Sequence, residues 1–163
     1  MSKLSSLSIK QRRILVGCIV IVAVAGSFTI PRYFVISITA SLSKRLYWLD
    51  EDVRTVKKGD FVIFRHSNVA TRFKEQSMIK LVRCDEGDEL RVDNNKVLTC
   101  NGEYIGKAKD EALNGTKLQH FVWNGMIPKG MFLPMGEHKD SYDGRYYGFI
   151  SKSEVLAKAH PVF

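Results

Sequence analysis

The chain has 163 residues, enough for one compact domain beside a targeting segment and too few for a second globular domain. Its formal net charge of +8 would ordinarily raise nucleic acid as a partner. Residues 1–45 hold seven basic side chains and no acidic one, however, which leaves 18 basic against 17 acidic residues, a charge of +1, over the other 118. That near-neutral remainder lacks the basic, aromatic-interleaved stripe of a nucleic-acid binder, so no nucleic acid is expected as a partner.

Lys10, Arg12 and Arg13 precede 18 uncharged residues from Ile14 to Pro31, and Arg32 follows them. As a helix rising about 1.5 Å per residue the run spans about 27 Å, close to the thickness of the hydrocarbon layer. The expected organisation is therefore a basic cytoplasmic N-terminus at 1–13, a transmembrane anchor at 14–31, and one domain at 32–163 on the far side of the membrane, oriented by the positive-inside rule. A cleavable signal peptide is the alternative, since the run is short and ends in the small residues Ala23, Ala25, Gly26 and Ser27. Span length favours the retained anchor.

Beyond the anchor the pattern is that of strands. GDFVIF at 59–64 and MIKLVR at 78–83 read as short buried strands, with one short helix expected between them near Thr71 to Ser77. Asn94-Asn95 and Asn101-Gly102 sit between apolar or β-branched runs and predict two successive hairpins. MFLPMG at 131–136 and RYYGFI at 145–150 predict two further strands flanking the polar loop EHKDSYD. The fold class is thus mainly β, with strongly bent antiparallel sheets, since Gly and Pro punctuate nearly every run.

Metal chemistry is poorly supported, because the three cysteines and four histidines show neither CxxC nor HxxxH spacing. No glycine-rich strand-to-helix loop suggests a nucleotide, and no histidine lies in a nucleophile-elbow context. No cofactor is implied. Lys80 is the unusual residue, because it shares a strand face with Met78 and Val82 inside an apolar run. Desolvation there would favour the neutral amine, which can accept a proton; the alternative is a protective lysine on an edge strand. Ser41 and Ser43 lie about ten residues past the anchor in ITASLSKRLYWL, and a serine hydroxyl beside a neutral lysine is an arrangement for acyl transfer. Cys84 and Cys100 either form a disulfide, which an oxidising compartment permits, or stay as two buried thiols.

Four segments in order, TASLSKRLYW, KKGDFVIF, KLVRCDEGDEL and GEHKDSYDGRYYG, resemble the boxes of the type I signal peptidase family over about Thr39 to Gly148. The resemblance implies a signal-peptidase-like bent antiparallel sheet domain with one N-terminal transmembrane helix. It makes Ser41 the nucleophile, Lys80 the general base, Thr39 and the Ser41 N–H the oxyanion hole, Ser141 the serine that orients the lysine amine, and Asp143 with Arg145 a supporting ion pair. The chain departs from the family pattern at Ser43, where proline is usual, at Glu137 (Asp), Gly144 (Ser) and Cys84 (Gly), and Ser43 remains a second nucleophile candidate. The single anchor, small domain and RLYW run are most similar to the TraF-type peptidases of conjugative transfer. Their likeness implies a periplasmic active site on the bacterial inner membrane, contact with its lipid, and a pilin precursor as protein substrate, cleaved with or without joining of the new ends. The alternatives are a general signal peptidase for secreted preproteins, a non-catalytic pilus-assembly subunit of the same fold, and a self-cleaving repressor of the LexA type, which would need a DNA-binding module where this chain has an apolar run.

Overall fold

The structure is a computed structural model that describes residues 8–29, 33–37, 41–66 and 76–162, the side chains of 27–29 and 76 excepted. The chain divides into two units, Met1–Val35 and Ile36–Phe163.

In the first unit, helix α1 (Ile9–Thr29) begins with a reciprocal cap. The Ser8 N–H donates to the Gln11 side chain at 2.9 Å, and the Gln11 N–H donates to Ser8 Oγ at 3.4 Å. No proline interrupts the run, and Ile19, Val20, Ile21 and Val22, which together face every side of the helix, are all exposed. Lys10, Arg12 and Arg13 occupy the start of the helix, so its apolar stretch begins only at Ile14; among the described residues no helix is long and apolar enough to cross a membrane.

The second unit is mainly β. Its strands are β1 (Phe34–Ile36, straddling the division), β2 (Leu46–Asp50), β3 (Phe61–His66), β4 (Gln76–Cys84), β5 (Glu89–Val92), β6 (Val97–Cys100), β7 (Glu103–Lys107), β8 (Asn124–Met126), β9 (Met131–Met135), β10 (Ile150–Ser151) and β11 (Val155–Pro161). Among the described residues they form two sheets, ordered β1-β2-β11-β3-β4-β9-β10 and β7-β6-β5-β8. Pairing is antiparallel from β2 to β10 in the larger sheet and throughout the smaller, with register shifts at Val155/Ala157, Val82/Cys84 and Leu98/Thr99 that bend the sheets.

Alternation explains the core. On β3 and β4 the directly paired residues Val62 and Lys80, and Phe64 and Met78, share one face, which with Val56, Val82, Phe132, Ile150 and Val155 builds one apolar cluster. The second cluster, with Leu90, Val92, Leu98, Leu133 and Met135, fills the space over the smaller sheet. A disulfide between Cys84 on β4 and Cys100 on β6, with α-carbons 5.8 Å apart, joins the two sheets inside that cluster. The β6–β7 hairpin turns on Asn101 and Gly102, whose φ values of 52° and 82° are those of a two-residue primed turn.

Two expectations need revision or restriction. RYYGFI is not a strand throughout: Gly144–Tyr147 forms a short helix, α2, capped by Asp143, and only Ile150 joins β10. The cap decides this, because the Asp143 carboxylate takes the Arg145 N–H at 3.1 Å and so turns the chain where a strand would continue. The helix expected over Thr71 to Ser77 falls mostly outside the described residues, and its last member, Ser77, lies in β4.

Candidate active site

Lys80 sits at the middle of β4, between β3 and β9, and is only 4% exposed. It is thus an interior lysine and not an edge-strand one. Its face is that of Val62, Phe64 and Val82, so its stem lies among apolar side chains. Its amine donates to Ser141 Oγ at 2.8 Å. Burial pulls its pKa down from 10.5 to about 8, against the nearby Asp143 carboxylate, which raises it, while the Arg145 guanidinium adds to the lowering.

At pH 8 about half the amine is therefore neutral, with a lone pair able to take a proton. The same burial costs stability. Below about pH 8 the folded protein holds a buried ammonium. Between about 8 and 10.5 the unfolded chain still binds a proton the folded one has released, so stability rises with pH across that window.

Ser141 is held by the segment 136–148. Asp143 is completely buried and accepts from the Gly136 N–H at 2.7 Å and from both Nε and Nη2 of Arg145, at 2.8 and 2.7 Å. The rest of the Arg145 fork donates to the backbone carbonyls of His138, Lys139 and Ser141 at 3.0, 3.2 and 3.1 Å. A buried charge pair of this kind is tolerable because nearly every donor on the guanidinium has an acceptor. The pair therefore ties the loop that carries Ser141 into a fixed shape. Gly144, where serine is usual in the family pattern, has no room for a side chain: a β-carbon there would meet the Pro134 carbonyl at 2.7 Å and Leu133 at 2.8 Å.

Ser41 opens a turn, with Leu42 buried at 6% and Ser43 to Arg45 exposed. The Ser41 carbonyl accepts from the His138 N–H at 3.1 Å, and the Ser43 N–H donates to the Glu137 carboxylate at 2.7 Å. Gly136 makes the junction possible. A β-carbon on it would overlap the Ser141 side chain and come within 2.9 Å of the Ser41 carbonyl, so only glycine lets these two segments meet. Downstream, the buried Tyr47 donates to the Lys44 carbonyl at 3.0 Å, and burial together with Glu137 raises its own pKa to about 12.

The structure thus gathers Lys80, Ser141, Asp143 and Arg145 into one buried network and brings the Ser41 turn against Gly136 beside it. Thr39 lies outside the described residues. The junction glycine Gly136, the Glu137 contact to Ser43 and the Tyr47 anchor are additions that the sequence did not reveal; the only local signal at Tyr47 is its place in the apolar run Leu46 to Leu49. Cys84, Asp88 and Cys100 approach one another closely enough to suggest a metal site, but both sulfurs are committed to the disulfide and have no thiolate to offer.

A family profile described as "Signal peptidase, peptidase S26" matches residues 8–163. Among curated proteins, a signal peptidase I of Bacillus caldolyticus is 24% identical over 121 residues, 68% of this chain and 63% of that protein. A probable signal peptidase I-2 of a Synechocystis strain is 27% identical over 111 residues, 66% of this chain and 48% of that protein. The chain thus spans between about half and two thirds of the length of these relatives. The crystal structure of a signal peptidase I from Enterococcus faecalis V583 matches 63% of this chain and 95% of that one at 19% identity, with a TM-score of 0.40, too low to argue from.

Proposed function

Because the chain belongs to the signal peptidase family, peptidase S26, we propose that it is a serine endopeptidase in which Ser41 is the nucleophile and Lys80 the general base. The observation that carries the reading is the buried Lys80 amine, its pKa pulled down to about 8 and its direction set by Ser141. A lysine serves as a base only when its neutral form is populated, and nothing about holding the fold together requires that.

In the proposed reaction Ser41 Oγ attacks the scissile carbonyl as Lys80 takes its proton. The tetrahedral oxyanion is stabilised by the Ser41 N–H and the Thr39 hydroxyl, and the lysine then returns the proton to the leaving amine. Water, deprotonated by the same amine, releases the acyl group; if the α-amine at the far end of the same acyl fragment attacks the ester instead, it expels Ser41 Oγ and the product is a ring.

The proposed substrate is a membrane-inserted precursor protein, in the first place a conjugative pilin precursor. Resemblance to the TraF-type peptidases in the RLYW run supports this over a general signal peptidase. We propose that residues 14–31 anchor the chain in the bacterial inner membrane with the catalytic domain at 32–163 on the periplasmic side. The exposed apolar surface of α1 and the basic residues at its start support that reading. Ser41 follows Pro31 by ten residues, a reach of at most about 33 Å, so the site would work near the membrane surface, where an inserted precursor presents its scissile bond.

The test is cleavage of purified pilin precursor in proteoliposomes by the full chain. Ser41→Ala should lower the rate by at least about a thousandfold with an unchanged melting temperature, whereas Ser43→Ala should keep most of it. If Ser43→Ala is the inactive variant, the nucleophile is misassigned. If a secreted preprotein is cleaved and pilin is not, the general signal peptidase reading replaces this one.

A further inference from the structure

We propose that Glu137 is a positioning residue for the nucleophile turn and acts through the Ser43 N–H, not through the substrate. The proposal rests on the Ser41–Lys80 reading above.

Among the described residues, hydrogen bonds that hold the turn include His138 N–H to the Ser41 carbonyl, Ser43 N–H to Glu137 Oε2, the Tyr47 hydroxyl to the Lys44 carbonyl and Ser37 N–H to the Arg45 carbonyl. Two of them come from consecutive residues, 137 and 138, immediately after the junction glycine that brings the turn to Ser141. Of these, the Glu137 bond, at 2.7 Å, has an ionisable acceptor, and charged acceptors make the stronger hydrogen bonds.

Ser43 and Glu137 are both exposed, so water can replace the bond at little cost to the fold. Water cannot supply its direction. The bond fixes the Leu42–Ser43 peptide plane from the solvent side while the Leu42 side chain pins the turn from the core side, and the nucleophile lies one residue before Leu42. Small displacements of a reacting group are expensive in rate even where they are cheap in stability.

The two departures from the family pattern then become one. A proline at position 43 would have no N–H to give, whereas serine has one, and the residue that receives it here is Glu137, where aspartate is usual. The donor and the longer acceptor occur together in this chain.

The experiment measures kcat and KM of the detergent-solubilised full chain on a fluorogenic peptide with small residues before the scissile bond. Glu137→Ala should lower kcat about fivefold to tenfold, leaving KM, the melting temperature and the pH midpoint unchanged, as expected for one lost charge-assisted bond in an exposed setting. Glu137→Gln, which keeps an acceptor oxygen at the same reach, should restore most of the rate. Ser43→Pro should show the same loss, Ser43→Ala should not, and Glu137→Ala should cost nothing further in the Ser43→Pro background. An equal Glu137→Ala loss in both backgrounds, a change in KM alone, or no loss at all would overturn the proposal. Peptide cleavage that survives Ser41→Ala would overturn the reading beneath it instead.

Discussion

The two segments that meet at Gly136 are held in opposite ways. The loop from 137 to 148 is fixed from within, by Asp143 at 0% exposure and Arg145 at 3%, with the guanidinium spread over three carbonyls of its own loop. The turn from Ser41 to Arg45 is fixed from outside, by Leu42 below and a few bonds at the solvent edge. A buried ionic network is coupled to folding, since breaking it strands a charge. Exposed bonds are not, since water completes them. Ser141, the partner of the proposed base, therefore sits in a part of the protein that is coupled to folding, and the proposed nucleophile in a part where geometry can change without unfolding.

This contrast can be broken first on the buried side. Asp143→Ala leaves the Arg145 guanidinium without its carboxylate inside the protein and should cost about 3–5 kcal/mol in a denaturant titration. A loss below about 1 kcal/mol would show that the loop does not depend on the pair.

A smaller effect is expected at the disulfide. Cys84 and Cys100 are 16 positions apart, and replacing both with serine should lower stability by about 3 kcal/mol on the chain-entropy account. Activity of the protein that remains folded should persist, because Lys80 keeps β3 and β9 as neighbours. Loss of activity at full folding would mean that the bridge, and not the sheet, sets the lysine. The smallest stability effects belong to the exposed turn, where Ser43→Ala and Glu137→Ala should each stay within about 0.5 kcal/mol. A cost there comparable with that of Asp143→Ala would erase the contrast.

What could be read from the sequence follows the same division between local and distant causes. The Asn101-Gly102 turn was legible because positive φ demands those residue types, and Lys80 because a lysine between Met78 and Val82 violates the alternation around it. RYYGFI was misread as a strand because its apolar pattern fits one, while the cap that bends it lies at Asp143, outside the pattern. The split into two sheets was not legible: β11 inserts between β2 and β3, a pairing of residues a hundred positions apart that no local periodicity encodes. The Ser43–Glu137 bond spans 94 positions and joins two residues that look like ordinary surface. Family resemblance aligned both positions but assigned them as departures, and only the geometry relates one to the other.

The central claim is that Lys80, in its neutral form, is the base. The most direct measurement is kcat/KM of the full chain against pH from 6 to 11, on a peptide without ionisable groups in that range, since this ratio reports the free enzyme's essential ionisation. The account predicts a rise through a single ionisation with a midpoint at about 8, and no activity at any pH for Lys80→Arg, whose guanidinium stays protonated throughout. A flat profile, or a Lys80→Arg variant that retains a comparable rate, would contradict it.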